Sequence, residues 1–180
     1  MTKKDFTRRV MNGKGDVLQE FLDTFKKRRI RFCVIGGLAV NAYAEPVVSL
    51  DLDIVVRTDR IPDLMNALPA DFKVKEFPNS LNISCPGSDL RIQVQIDPRY
   101  QDFLAKARTK KVLGYEMPVA SAEDVLRGKT WAALDETRRP SKRQKDLADI
   151  LRLVETRPSL AKHISKKLAD RYAGIFKNRR

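Results

Sequence analysis

The sequence is poor in the residues that build thiol and imidazole chemistry. One histidine and two cysteines occur in 180 residues. A metal centre made of Cys and His ligands needs more of both, at tighter spacing, and is excluded. Cys33 and Cys85 each lie among apolar neighbours and read as buried free thiols, the usual state in the cytosol. His163 falls in a basic stretch and reads as an exposed bystander. Long apolar runs are missing too: nothing approaches the roughly 18 residues of a membrane span. The opening residues, MTKKDFTRRVMNGKGD, have no apolar run behind their charges. No secretory leader is therefore expected, and the expected compartment is the cytoplasm. A hydrophobic fraction of 42% is enough for an ordinary core, and the length suits one domain or one domain with a small appendage.

Acidic residues are outnumbered, 23 against 36 Lys and Arg, for a net charge of +13. The imbalance is local. Residues 1–100 carry 16 Lys/Arg against 13 Asp/Glu, whereas residues 101–180 carry 20 against 10. Positive charge gathered in one half raises the local concentration of polyanions, and nucleic acid is the obvious partner. The plainer reading is a solvated helical surface that aids solubility.

The most informative stretch is 33–57, CVIGGLAVNAYAEPVVSLDLDIVVR. Residues 32–35 form an apolar run stopped by Gly36 and Gly37, as a buried strand entering a tight turn does. Residues 38–44 suit a short helix, and Pro46 ends it. Residues 49–56 read as a second strand. Side chains on a strand alternate, so Asp51 and Asp53 share one face while Leu50, Leu52 and Ile54 take the other. Two adjacent carboxylates repel, and a hard divalent ion such as Mg²⁺ removes the repulsion. The Gly-Gly bend leaves backbone N–H groups open to a phosphate. Taken singly, a Gly-Gly is often only a turn and Asp-x-Asp only a solvated edge. Together they are the minimum equipment for moving a phosphoryl or nucleotidyl group.

The rest of the chain supplies a domain around that stretch. Residues 1–15 read as a flexible arm. Asp16 caps a helix whose stripe is Val17, Leu18, Phe21, Leu22 and Phe25. Asp59 is expected to cap a helix over 61–68. Residues 72–77, 81–85 and 90–96 alternate as strands. In the last, Leu90, Ile92, Val94 and Ile96 face one side, and Arg91, Gln93 and Gln95 the other. Residues 100–108 read as a helix and 110–119 as a short hairpin or edge strand. Ser121 caps a helix carrying Lys129, and residues 143–154 form another. In 157–180, Leu160, Ile164, Leu168 and Tyr172 recur every four residues, which predicts one basic amphipathic helix.

The strand–Gly-Gly–helix–Asp-x-Asp order resembles the opening of the nucleotidyltransferase superfamily that includes DNA polymerase beta and the aminoglycoside nucleotidyltransferases. Val119-Ala120-Ser121, Lys129 and Arg143-Gln144-Lys145-Asp146 resemble its AbiEii-type toxin group, so the likeness spans about 30–155. The resemblance implies an α/β (α+β) fold with a mixed central sheet flanked by helices, plus C-terminal helices. The expected divisions are an arm at 1–15, the nucleotidyltransferase domain at 16–155 and a basic helix at 156–180. The implied reaction moves a nucleotidyl group from an NTP to a hydroxyl, with RNA or tRNA the favoured acceptor and a cognate antitoxin a possible partner. Asp51 and Asp53 would hold Mg²⁺ or Mn²⁺, Gly36, Gly37, Ser49 and Lys129 the nucleotide, and Asp146 or Asp97 would act as base or further ligand. The chain departs from the family pattern twice. Gln93 and Gln95 stand where the third acid is expected, and Val47 stands where an arginine is common. The alternative is therefore a catalytically impaired module of the same fold that binds RNA or a partner protein.

Overall fold

Phe21 and Phe25 lie one helical turn apart, and their burial fixes how the chain begins to pack. In the computed structural model, which describes residues 1–12 and 15–176, they sit on helix α2 (Val17–Lys27). Asp16 caps it by accepting from the Gln19 amide at 3.2 Å. The Phe25 ring meets Phe32 edge-on at 4.7 Å, which seats α2 against strand β1 (Phe32–Ile35). From β1 the chain enters α3 (Gly36–Val40) and returns as β2 (Asp51–Val56). A turn at Thr58–Arg60 leads into α4 (Ile61–Ala67). Strands β3 (Lys73–Phe77), β4 (Ser80–Ser84) and β5 (Arg91–Gln95) follow. After the short α5 (Phe103–Lys106) come β6 (Arg108–Val112) and β7 (Tyr115–Val119). Two longer helices, α6 (Ala122–Leu134) and α7 (Pro140–Thr156), close the domain.

The strands form one mixed seven-stranded sheet in the order β3-β4-β5-β2-β1-β7-β6. The β2–β5 and β1–β7 pairs are parallel and the other neighbours antiparallel. This is the expected α/β class. The strands β1 and β2 are central and their apolar residues fully buried, whereas β3 and β6 are edges. The predicted hairpin at 110–119 exists, but β7 is interior, because Val34 and Val119 pair across it. On the far side of α6, Tyr100 meets Trp131 and Phe103 edge-on, both at 5.1 Å. No helix among the described residues is long and apolar enough to cross a membrane.

Four expectations change. Residues 1–15, read as an arm, contain helix α1 (Lys3–Val10), although Gly13 and Lys14 lie outside the described residues. A capping box between Thr2 and Asp5 starts it, and Thr7 and Met11 are buried beneath it. Asp59 does not cap α4; it binds Arg57 through two hydrogen bonds instead. The helix read over 100–108 shrinks to α5, since Arg108 already belongs to a strand. The C-terminal stretch is not one helix. It breaks into a 3-10 turn at Pro158–His163, α8 (Lys166–Arg171, capped by Ser165) and α9 (Ala173–Phe176), and 177–180 lie outside the described residues. Leu160 and Leu168 are buried, so this segment packs on the domain. Both cysteines are free and buried; burial raises the thiol of Cys33 to about 12 and that of Cys85 to about 11.

Phe25 is 1% exposed at the α2–β1 junction. Phe25→Ala should therefore cost about 3–5 kcal/mol of unfolding free energy, read from the shift of the urea midpoint.

Candidate active site

The period-2 geometry of β2 sends Leu52 and Ile54 into the core and Asp51 and Asp53 out on the opposite face. Antiparallel pairing with β1 sets Asp53 beside Ile35, the last residue before α3. The chain must then turn against the carboxylate. It does so at Gly36, whose φ is +67. A Cβ on Gly36 would run into Asp53 Oδ2 and come within 2.8 Å of Cγ. Any side chain here is excluded twice, by backbone conformation and by space. Gly37 is less constrained, since a Cβ there meets only Ser49 Oγ, at 3.7 Å. Ser49 is buried and folds its hydroxyl back onto the Asp51 amide at 3.2 Å, which fixes the entry to β2.

The Asp53 carboxylate makes no hydrogen bond or ion pair among the described residues, although its backbone belongs to the sheet. Burial pushes its pKa above the ordinary 3.8, and Asp51 adds to the rise; Lys129, Arg138 and Lys145 pull the other way without cancelling it. Asp51 differs. Its Oδ1 forms an ion pair with Arg91 Nε at 2.8 Å, from the neighbouring strand position of β5. The Arg91 side chain is 68% exposed, so this pair sits at the solvent edge. It does not fill the space in front of the acids. A cleft of about 590 Å³ opens there, lined by Gly37, Ser49, Asp51, Asp53, Gln93 and Lys129 among others. Behind Asp53 lies a smaller chamber of about 110 Å³, lined by Gln93, Gln95, Tyr100 and Phe103.

Lys129 lines both spaces, but its ammonium is already engaged. It pairs with Asp146 at 2.9 Å and Asp149 at 2.6 Å, all three buried. Burial alone would disfavour the charged amine; the two carboxylates outweigh it and hold the pKa above the usual lysine value. The ladder continues outward at both ends. Arg138 Nε donates to the second oxygen of Asp146 at 2.7 Å, and Arg152 Nη1 to Asp149 at 2.7 Å. Arg152 also reaches the Asn41 side chain at 3.0 Å and the Glu45 carbonyl. Asn41 in turn clamps the backbone of Val47 through two hydrogen bonds.

The structure thus gathers Gly36, Gly37, Ser49, Asp51, Asp53, Lys129 and Asp146 around one cleft. Asp97 is placed elsewhere. Arg99 holds its carboxylate at 2.7 Å and well below the usual range, and the same carboxylate caps the turn Pro98–Tyr100. Gln93 stands in register with Asp53, where a third acid would lie. Among the described residues no group of three or more His, Cys, Asp or Glu is placed to hold a metal ion. The donors for one are the Asp51 and Asp53 carboxylates, with the Gln93 amide oxygen lining the same cleft. Sequence reading missed Arg138 and Arg152 and gave Asp149 no role in the site. Asp149 carried a signal, lying one helical turn after Asp146 and so on the same face. Arg138 sits in the loop before α7 and had none.

A mixed sheet whose second strand carries two carboxylates beside a glycine bend is the arrangement expected of a nucleotidyltransferase. The model of the family described as nucleotidyl transferase AbiEii toxin, type IV TA system, matches residues 18–179, and the chain belongs to that family. No curated protein matches it in sequence. Solved structures show the same fold. The antibiotic-resistance factor ANT(2'')-Ia superposes with a TM-score of 0.62 at 13% identity, over 89% of this chain and 94% of that one. The lincosamide antibiotic adenylyltransferase LnuA, with lincomycin bound, gives 0.55 at 12%, over 79% and 99%. An antigenic nucleotidyltransferase-like protein from Paracoccidioides brasiliensis gives 0.56 at 17%, over 97% and 92%. At such identities the likeness is one of fold.

Two expected outcomes follow from the charges. A carboxylate with a raised pKa binds more protons folded than unfolded, so its stabilising contribution is complete below pH 3.8 and lost as pH rises through the folded value. Asp53→Asn should therefore raise the melting temperature at pH 7 without metal, and the gain should vanish near pH 3.8 and below. Lys129→Met leaves two buried carboxylates facing each other and should cost about 3–5 kcal/mol in urea unfolding.

Proposed function

We propose that the protein moves a nucleoside monophosphate from an NTP to a hydroxyl of RNA, with tRNA a candidate acceptor, and that this transfer is its action as a toxin. The observation that carries the reading is Asp53: an unpaired carboxylate with a raised pKa, pressed against Gly36 at the floor of a cleft with cations on its walls. A carboxylate held this way lacks its counter-charge, and a divalent cation supplies it. Mg²⁺ is commonly held by one or two carboxylates plus substrate phosphates, so two acids fit one ion. Asp51 and Asp53 would hold Mg²⁺ or Mn²⁺, with Arg91 yielding at its exposed end. Once bound, the ion supplies neutralisation of charge on the phosphate oxygens.

The chain's own residues divide the remaining work. Gly37 and the Ser49 hydroxyl leave room for, and donate to, phosphate oxygens. Lys142 and Lys145 line the cleft and form no ion pair among the described residues, so their charge is available to the triphosphate. Lys129 has three donors and two carboxylate partners, which leaves one donor for an incoming oxygen. Asp146 is saturated by Lys129 and Arg138, and Asp97 by Arg99, so neither is free as a base. The Gln93 amide oxygen would orient the acceptor hydroxyl. The acceptor's hydroxyl oxygen attacks the α-phosphorus, the bond from the α-phosphorus to the α–β bridging oxygen breaks, pyrophosphate leaves, and the hydroxyl proton passes to water in the open cleft.

A second reading rests on the same Gln93 and on the Asp51–Arg91 pair: a fold that keeps its binding surface but has lost transfer. Incubation with each labelled NTP, Mg²⁺ or Mn²⁺, and total RNA separates the two. Covalent label on RNA, reduced at least about 100-fold in Asp53→Asn, is the expected result. Absence of label on any acceptor with either metal, together with intact RNA binding, would establish the second reading.

A further inference from the structure

Sheet register carries the polar face of β2 well beyond the two acids. Asp53 pairs with Gln93 on β5, Gln93 with Asn82 on β4, and Asn82 with Lys75 on β3. The adjacent row reads Asp51, Arg91, Ser84, Lys73. A third row runs Gln95, Ser80, Phe77. Partners in register lie on one side of a sheet. The opposite side, Leu81, Ile83, Ile92 and Val94, is core. The side with the acids is open, since Lys73, Lys75, Phe77, Asn82, Ser84 and Arg91 are all exposed. From β2 to β3 it spans about 14 Å, three strand spacings.

We infer that this open face of β3, β4 and β5 is the bed on which the single-stranded end of the acceptor RNA lies. The inference rests on the proposed RNA acceptor and places it. Three observations favour that occupant. The face is continuous with the cleft, because Lys73, Lys75, Asn82 and Ser84 line it together with Asp51 and Asp53. Its charge suits a polyanion: apart from the two acids at the catalytic end, the three outer strands present Lys73, Lys75 and Arg91 on this side and no carboxylate. Across the cleft, Arg138, Lys142 and Lys145 form a second basic bank. Finally, amides and a 40%-exposed phenylalanine, Phe77, are interleaved with the lysines. Lysines on an edge strand also prevent unwanted strand pairing, but that purpose needs neither amides nor an exposed ring. Cations for phosphates, amides for base edges and a ring for stacking are the parts of a single-strand nucleic-acid platform.

The test is fluorescence anisotropy with a labelled single-stranded RNA oligonucleotide, at several salt concentrations, on the full chain. Lys73→Gln combined with Lys75→Gln should weaken binding and flatten the log–log salt slope by about 1.4, or roughly 0.7 for each lost phosphate contact. Phe77→Ser should weaken binding about 5- to 100-fold with the slope unchanged. A variant that had simply misfolded would not separate the two effects. RNA affinity unaltered in both variants overturns the inference, as does a poly-glutamate chain that binds equally well and ignores Phe77. The thermal shift given by NTP with Mg²⁺ is measured alongside. A shift without the predicted RNA pattern sinks the platform and leaves nucleotidyl transfer standing. The RNA pattern without a shift supports the platform and sinks the transfer.

Discussion

Everything at the cleft follows from how near the backbone comes to one carboxylate. Asp53 can lie against the β1–α3 junction only because residue 36 has no Cβ and accepts a positive φ. That closeness removes water from the acid and raises its pKa. Lys129, Arg138 and Lys145 offset this cost only in part, and none of them pairs with the carboxylate. Strain of this electrostatic kind is what a functional site tolerates and a merely structural one discards.

The cations nearby are arranged in two classes. Lys129, Arg138 and Arg152 are paired with Asp146 and Asp149, and the Lys129 pairs tie α6 to α7. Lys142 and Lys145 are uncommitted and stand on the cleft wall. A ladder of three cations on two buried carboxylates is costly to break but does little for net stability. Its effect is positional: it keeps positive potential near Asp53 while Lys142 and Lys145 stand unpaired among the described residues on the cleft wall.

Much of this was legible in the sequence, and for local reasons. The alternation in 49–56 and 90–96 set which side chains share a face, because strand period is invariant. Asp16 and Ser121 marked helix starts through their own chemistry. Readings failed where a neighbouring arginine competed for a carboxylate, or where the partner lay far along the chain. Asp59 had the right type and place for a cap, yet Arg57, two residues away, took its carboxylate. Residues 1–15 read as an arm, yet the Thr2–Asp5 capping box and the burial of Thr7 and Met11 account for a helix within them. Asp97 was a reasonable third acid until Arg99 claimed it. No pattern within β5 could reveal that Arg91 would meet Asp51, since that depends on a parallel register between strands far apart in the chain.

Arg152 reaches from α7 to Asn41 and the Glu45 carbonyl, and Asn41 grips Val47 from both sides. The connection between α3 and β2, which carries Ser49, is thereby fastened before any ligand arrives. Ordering a loose segment costs about 1–2 kcal/mol of conformational entropy per residue. By meeting that cost during folding, the connection spares the binding step from it, so preorganisation of one wall is built into the native state rather than induced by the nucleotide.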